Sequence, residues 1–257
     1  MVTQLFSELS ALPQVEAIAL GGSRAGIHFD ESSDYDVYLY CTAPIPEEGR
    51  RAILEKYCSY MEIGNHFWEY EDNCTLKNRI DIDILYRNLD NFTGELADVV
   101  ENCHGRGGYT TCMWHNLLTC KIICDKTGRL AAAKQRFQVP YPAALREDIV
   151  SRNWQLLRTA MPAYELQINK AVKRGDLVSI NHRVSAFMES YFDLLFALNE
   201  KTHPGEKRLM QLCRESCPVL PEQFEENLTA LFRHMFAAPE KVPGDLDRIL
   251  TALTKIL

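Results

Sequence analysis

The chain has no basic surplus. Its 28 lysines and arginines are outnumbered by 35 aspartates and glutamates, for a formal net charge of −7. That balance argues against a nucleic-acid partner, whose footprint is a basic excess or stripe. It is compatible with a small or cationic substrate. No charged-then-apolar leader opens the sequence, so no secretory signal is read. No uninterrupted apolar run approaches the roughly 20 residues needed to cross a bilayer. A disulfide framework is also missing. The nine cysteines are odd in number, scattered and mostly set in apolar segments, as expected of reduced thiols in a cytoplasmic protein. Cys120/Cys124 and Cys213/Cys217 are spaced by four, but neither has a second pair or a well-spaced histidine, so core positions are read there rather than zinc ligands. There is no internal repeat and no low-complexity segment.

What is present is an ordinary globular composition, 46% apolar and 25% charged over 257 residues, enough for one large domain or two modest ones. The first half mixes strand and helix signals. A helix is expected over 2–12, a strand over 15–20, a strand over 36–41 and a helix over 47–61. A short strand is expected over 67–70, a strong one over 79–86, helices over 91–102 and 109–119, and a last strand over 121–124. Val139-Pro140-Tyr141-Pro142 is the best boundary, because each proline disfavours helix at the residue before it. Beyond it the sequence is helical almost throughout, with breaks at Pro162, Gly175, Pro204-Gly205 and Pro243-Gly244. Two domains are therefore expected: an α/β domain over 1–139 and an α-helical domain over 143–257.

Three short elements carry the chemistry. Gly21-Gly22-Ser23 follows a β-rich apolar run. Asp34-Tyr35-Asp36-Val37 comes about ten residues later, and Ile80-Asp81-Ile82-Asp83-Ile84 stands on a later strand. Strand periodicity is two, so Asp34 and Asp36 share one face, and Asp81 and Asp83 share another. If the two strands are neighbours, the carboxylates converge, and their repulsion calls for a cation. Mg²⁺ suits an all-oxygen site that also takes substrate phosphates. Gly22 lets phosphate oxygens approach the backbone, Ser23 can donate its hydroxyl, and Arg24 can add charge.

Together these residues resemble the nucleotidyltransferase fold of the DNA polymerase beta superfamily. Gly21-Gly22-Ser23-Arg24-Ala25-Gly26 with Ser33-Asp34-Tyr35-Asp36 is similar to its small bacterial members, the kanamycin- and lincosamide-type antibiotic nucleotidyltransferases. The resemblance covers residues 15–90 and, less specifically, the helical second half. It implies an α/β (α+β) nucleotidyltransferase domain with a mixed sheet, followed by an α-helical bundle domain. It also implies two Mg²⁺ ions held by Asp34, Asp36 and a third carboxylate. Asp83 is favoured for that place, with Asp81 as the alternative. ATP or another nucleoside triphosphate would be the co-substrate. AMP would pass to a hydroxyl of a small-molecule acceptor, an antibiotic among the candidates, with release of pyrophosphate.

In the second half, His203-Pro204-Gly205-Glu206-Lys207-Arg208 places basic residues at a helix start, where Lys207 or Arg208 would neutralise triphosphate charge. The same residues also read as a solvated surface turn. Glu147, Glu165 and Glu189 are candidate bases for the acceptor hydroxyl, and each is otherwise a solvated helix residue. Phe67-Trp68-Glu69-Tyr70-Glu71-Asp72 could wall an acceptor pocket or pack into the core. Two rival functions stand beside the leading one: a protein adenylyltransferase of antitoxin type, and a nucleotide-binding sensor without catalysis.

Overall fold

A computed structural model describes residues 1–25, 33–67 and 69–257. They form two compact units, Met1–Ala97 with Asn116–Val139, and Asp98–His115 with Pro140–Leu257. The segment Asp98–His115, expected within the first domain, groups by its contacts with the helical unit.

In chain order the first unit begins with α1 (Val2–Ala11), β1 (Val15–Leu20), the short α2 (Gly22–Ala25), β2 (Tyr35–Cys41) and α3 (Glu47–Leu54). There follow β3 (Cys58–Asn65), β4 (Glu71–Leu76), β5 (Asp81–Arg87) and α4 (Leu89–Val100). The division between units falls inside α4, after Ala97, and again inside α5 (Cys112–Thr119), after His115; β6 (Lys121–Asp125) and α6 (Arg129–Arg136) complete the first unit. The six strands form one sheet in the order β3-β4-β5-β2-β1-β6. β2 and β5 run parallel and every other neighbouring pair is antiparallel, so the sheet is mixed.

Alternation along the strands explains how the sheet is covered. Val37, Leu39 and Cys41 of β2, Ile82 and Ile84 of β5, and Cys74 and Leu76 of β4 enter one core with Leu5, Phe6 and Leu9 of α1 and Ile53 and Leu54 of α3. The intervening residues of β2, Asp36, Tyr38 and Tyr40, are therefore directed to the other face. There Tyr40 meets Phe92 of α4, with ring centroids 5.6 Å apart.

Two sequence expectations give way here. The helix expected over 47–61 ends at Leu54, and Cys58–Asn65 becomes the edge strand β3. Met61 and Glu62 favour helix only by tenths of a kcal/mol, and pairing with β4 outweighs them. The strand expected over 67–70 begins instead at Glu71; Trp68, which fell within it, lies outside the described residues.

The second unit contains α7 (Ala143–Trp154), a π-helical turn at Gln155–Thr159, α8 (Tyr164–Arg174), α9 (Leu177–Leu198), α10 (Leu209–Ser216), α11 (Phe224–Ala237), a 3-10 turn at Pro239–Lys241 and α12 (Val242–Thr254). α9 is its axis. The side chain of Asp176 caps its N-terminus by accepting from the Ser179 N–H, and Val184, Phe187, Tyr191, Leu194 and Leu195 are buried in the core. A helix apolar on so much of its surface belongs at the centre of a bundle. Among the described residues no helix is long and apolar enough to cross a membrane.

Candidate active site

The site is built by strand direction. β1 runs antiparallel to β2, so its C-terminal end, carrying Gly21-Gly22, meets the N-terminal end of β2. The Gly21 N–H donates to the Asp36 carbonyl at 2.8 Å. β5 lies parallel on the other side of β2, with Asp36 in register with Asp83. The glycine turn and both acidic strands therefore share one end of the sheet. Carboxylate oxygens of Asp34, Asp36 and Asp83 come within 4.8 Å of one another, all three residues being half-buried.

The two candidates for the third carboxylate have different surroundings. Asp83 takes part in this cluster, and its Oδ1 accepts from Asn73 Nδ2 at 2.8 Å. Asp81 is exposed at the start of β5, and its Oδ1 accepts from Thr75 Oγ1. Asn73, and Asn65 behind it, were missed in the sequence. The alternation in Asp72-Asn73-Cys74-Thr75-Leu76 is the signal that would have marked a strand there, with Asn73 on the face of Asp83.

Gly22 is required where it stands. Its φ is +58°, in the left-handed region, and a Cβ on it would lie 1.7 Å from Asp36 Oδ2. Gly21 is equally close-packed: a Cβ there would lie 2.2 Å from Cε2 of Tyr38. Ser23 follows within α2, half-buried. Arg24, expected to add charge, uses its Nε on backbone carbonyls, donating to Ser33 at 2.6 Å and Asp34 at 3.1 Å. Its guanidinium stacks 3.9 Å above the Tyr35 ring. Arg24 thus holds the entry to β2 in place. Gly26, the last residue of the expected glycine motif, lies outside the described residues.

The acidic groups of the 67–72 stretch are largely committed elsewhere. Glu69 takes a two-point ion pair from Arg87, at 2.8 and 2.6 Å. Asp72 is fully buried on the core side. Its carboxylate accepts from Arg50, the Gly64 N–H and the Tyr86 hydroxyl. Phe67 is exposed. Burial, and then the nearby carboxylates of Asp83 and Glu69, push Glu71 up, opposed by its hydrogen bond with Asn73.

In the second unit, Lys207 and Arg208 are exposed, Arg208 at a left-handed φ of +58° before α10. Glu147 is exposed, Glu165 lies 3.8 Å from Arg158, and the Cβ of Glu189 packs on Gly108. His182 is exposed on α9. The buried titratable groups are others. Asp193 accepts from the Thr110 N–H and hydroxyl and from Asn153, tying residue 110 to α9. His203 is fully buried, its Nδ1 accepts from the Gly205 N–H, and its Nε2 has no hydrogen-bond partner among the described residues.

Three carboxylates within 4.8 Å, offering only oxygen, make a donor set that fits a hard divalent cation such as Mg²⁺. Residues 109–209 match a family described as "Domain of unknown function (DUF4037)", a stretch that leaves out Asp34, Asp36 and Asp83. No curated protein matches the sequence. The chain is similar to a solved nucleotidyltransferase-like protein from Exiguobacterium sibiricum 255-15, at 13% identity and a TM-score of 0.44, over 100% of this chain and 74% of that one. It is also similar to an aminoglycoside 6-adenyltransferase from Bacillus subtilis, at 10% identity and a TM-score of 0.30, over 100% of this chain and 89% of that one.

Proposed function

We propose that this protein is a Mg²⁺-dependent nucleotidyltransferase that moves AMP from ATP, or the corresponding group of another nucleoside triphosphate, to a hydroxyl of a small-molecule acceptor. The observation that carries the reading is the convergence of Asp34, Asp36 and Asp83 beside a glycine turn that leaves room for Asp36. In the reaction the acceptor oxygen bonds to the α-phosphorus, the bond from that phosphorus to the β-phosphate oxygen breaks, and the acceptor's proton and pyrophosphate are released. Asp34, Asp36 and Asp83 would hold the metal, which when bound supplies charge neutralisation for the triphosphate and for the departing pyrophosphate.

The chain's own contribution is placement. Register across β2 and β5 sets Asp36 beside Asp83, and fixed charges in a prepared site need no reorganisation as the reaction proceeds. Gly22 supplies the space for the Asp36 carboxylate. Ser23 is assigned a phosphate oxygen. Arg24 braces the backbone that carries Asp34, and Lys207 or Arg208 is assigned to triphosphate charge.

The test is transfer of label from nucleoside triphosphates marked at the α-phosphate, with Mg²⁺ and a panel of hydroxylated acceptors that includes aminoglycosides and lincosamides. Label in a small-molecule product, abolished by Asp36→Asn, supports the proposal. Label appearing instead in a protein band identifies a protein acceptor. Nucleotide binding without any transfer contradicts the reading as an enzyme.

A further inference from the structure

A hydrogen-bonded chain runs behind Asp83. Asn65 Nδ2 donates to Glu62 Oε2 at 3.2 Å and to Asn73 Oδ1 at 2.6 Å. Asn73 Nδ2 then donates to Asp83 Oδ1 at 2.8 Å. Both ends are carboxylates, which only accept when ionised, so the orientation of the two amides between them is forced. The register supports the alignment: Asn73 is opposite Asp83 across β4 and β5, and Glu62 is opposite Asn73 across β3 and β4. The amides thus reach the acidic cluster from the outer hairpin of the sheet.

Resting on the reading that Asp34, Asp36 and Asp83 hold a divalent cation, we infer that Asn73, backed by Asn65, is a positioning residue that restricts Asp83 to a single metal-binding oxygen and so favours Mg²⁺ over Ca²⁺. The Asn73 bond fixes the plane of the Asp83 carboxylate and engages Oδ1. With Oδ1 already taking a hydrogen bond and the plane held, a one-oxygen grip needs no reorientation of the carboxylate, whereas a symmetric two-oxygen grip competes with the Asn73 contact. Mg²⁺ is content with one oxygen per carboxylate in a strict octahedron, whereas Ca²⁺ takes six to eight ligands and readily accepts both oxygens of one group. Hydrogen-bond partners behind metal ligands commonly set affinity by 10–100-fold.

The same strand pair contains an internal control. Thr75 Oγ1 donates to Asp81 Oδ1 at 2.8 Å, two residues along on each strand, but Asp81 is not among the clustered carboxylates. Calorimetric titration of the full chain with Mg²⁺ and with Ca²⁺ tests the inference, with melting temperature recorded in the absence of metal. Asn73→Ala is expected to weaken Mg²⁺ binding about 10-fold or more and to narrow the preference over Ca²⁺. Asn65→Ala is expected to act in the same direction by less, and Thr75→Ala to leave both affinities unchanged. Wild-type Mg²⁺ affinity in Asn73→Ala overturns the inference, as does an equal loss in Thr75→Ala. If Asn73→Ala does not fold, unchanged affinity in Asn65→Ala overturns it. A wild-type chain that binds no divalent cation overturns the underlying metal reading itself, a result distinct from all of these.

Discussion

The Asp36 carboxylate occupies the space that a side chain on Gly22 would need. A Cβ there would lie 1.7 Å from Oδ2, and the backbone at Gly22 is left-handed. Gly22→Ala therefore meets both a conformational cost of about 1–2 kcal/mol and a collision with a proposed metal ligand. The expected outcome is a lower melting temperature together with loss of Mn²⁺ binding, read by electron paramagnetic resonance. Retention of both would show that Asp36 can move without consequence.

The ion pair of Arg50 and Asp72 is buried on the core face, Arg50 being 2% exposed and Asp72 fully buried. Removing one partner leaves a buried charge uncompensated. Arg50→Met is expected to cost about 3–5 kcal/mol, and the double change Arg50→Met with Asp72→Leu to recover part of it. Urea unfolding of the single and double variants checks this. A single variant as stable as the wild type would contradict the buried-pair account.

Two buried groups in the helical unit impose pH slopes of opposite sign. Burial pushes Asp193 up to about 6 from 3.8, against hydrogen bonds from Thr110 and Asn153. A raised acid contributes stability that is fully present below pH 4 and lost as pH rises through 6. Burial, and then neighbouring His115, hold His203 down at about 4 from 6.5. Its contribution is present above pH 6.5 and lost as pH falls through 4. Each is worth on the order of 3 kcal/mol across its window. Asp193→Asn is expected to remove the loss on the rising side, and His203→Gln the loss on the acid side. Urea unfolding between pH 4 and 7 reads both, and variants that keep the wild-type pH profile would contradict the assignment.

The proposed assignment of Lys207 or Arg208 to triphosphate charge is tested by substituting each. Lys207→Ala and Arg208→Ala are expected to raise the KM for nucleotide while leaving kcat and melting temperature unchanged. Equal KM values in wild type and variants would return both residues to the solvent.

The order of elements in the first unit was largely legible where one local rule dominated. Val15–Leu20 and Asp81–Arg87 are apolar-rich or alternating runs, and both are strands. That Asp34, Asp36 and Asp83 could meet depended on β2 and β5 being neighbours, which periodicity alone does not decide. The hairpin of β3 and β4 was hidden because Met61 and Glu62 favour helix, whereas its pairing partners are more distant in sequence. With it were hidden Asn65 and Asn73. Arg24 is expected from its position to add charge, but its Nε donates to backbone carbonyls, contacts that no side-chain pattern reveals.

The most direct measurement is a crystal structure of the protein soaked with Mn²⁺ and a nonhydrolysable nucleoside triphosphate, with anomalous scattering used to locate the metal. The expected result is Mn²⁺ bound by carboxylate oxygens of Asp34, Asp36 and Asp83, with the triphosphate beside Gly22 and Ser23. Metal bound at Asp81 in place of Asp83, or no metal at this end of the sheet, would contradict it.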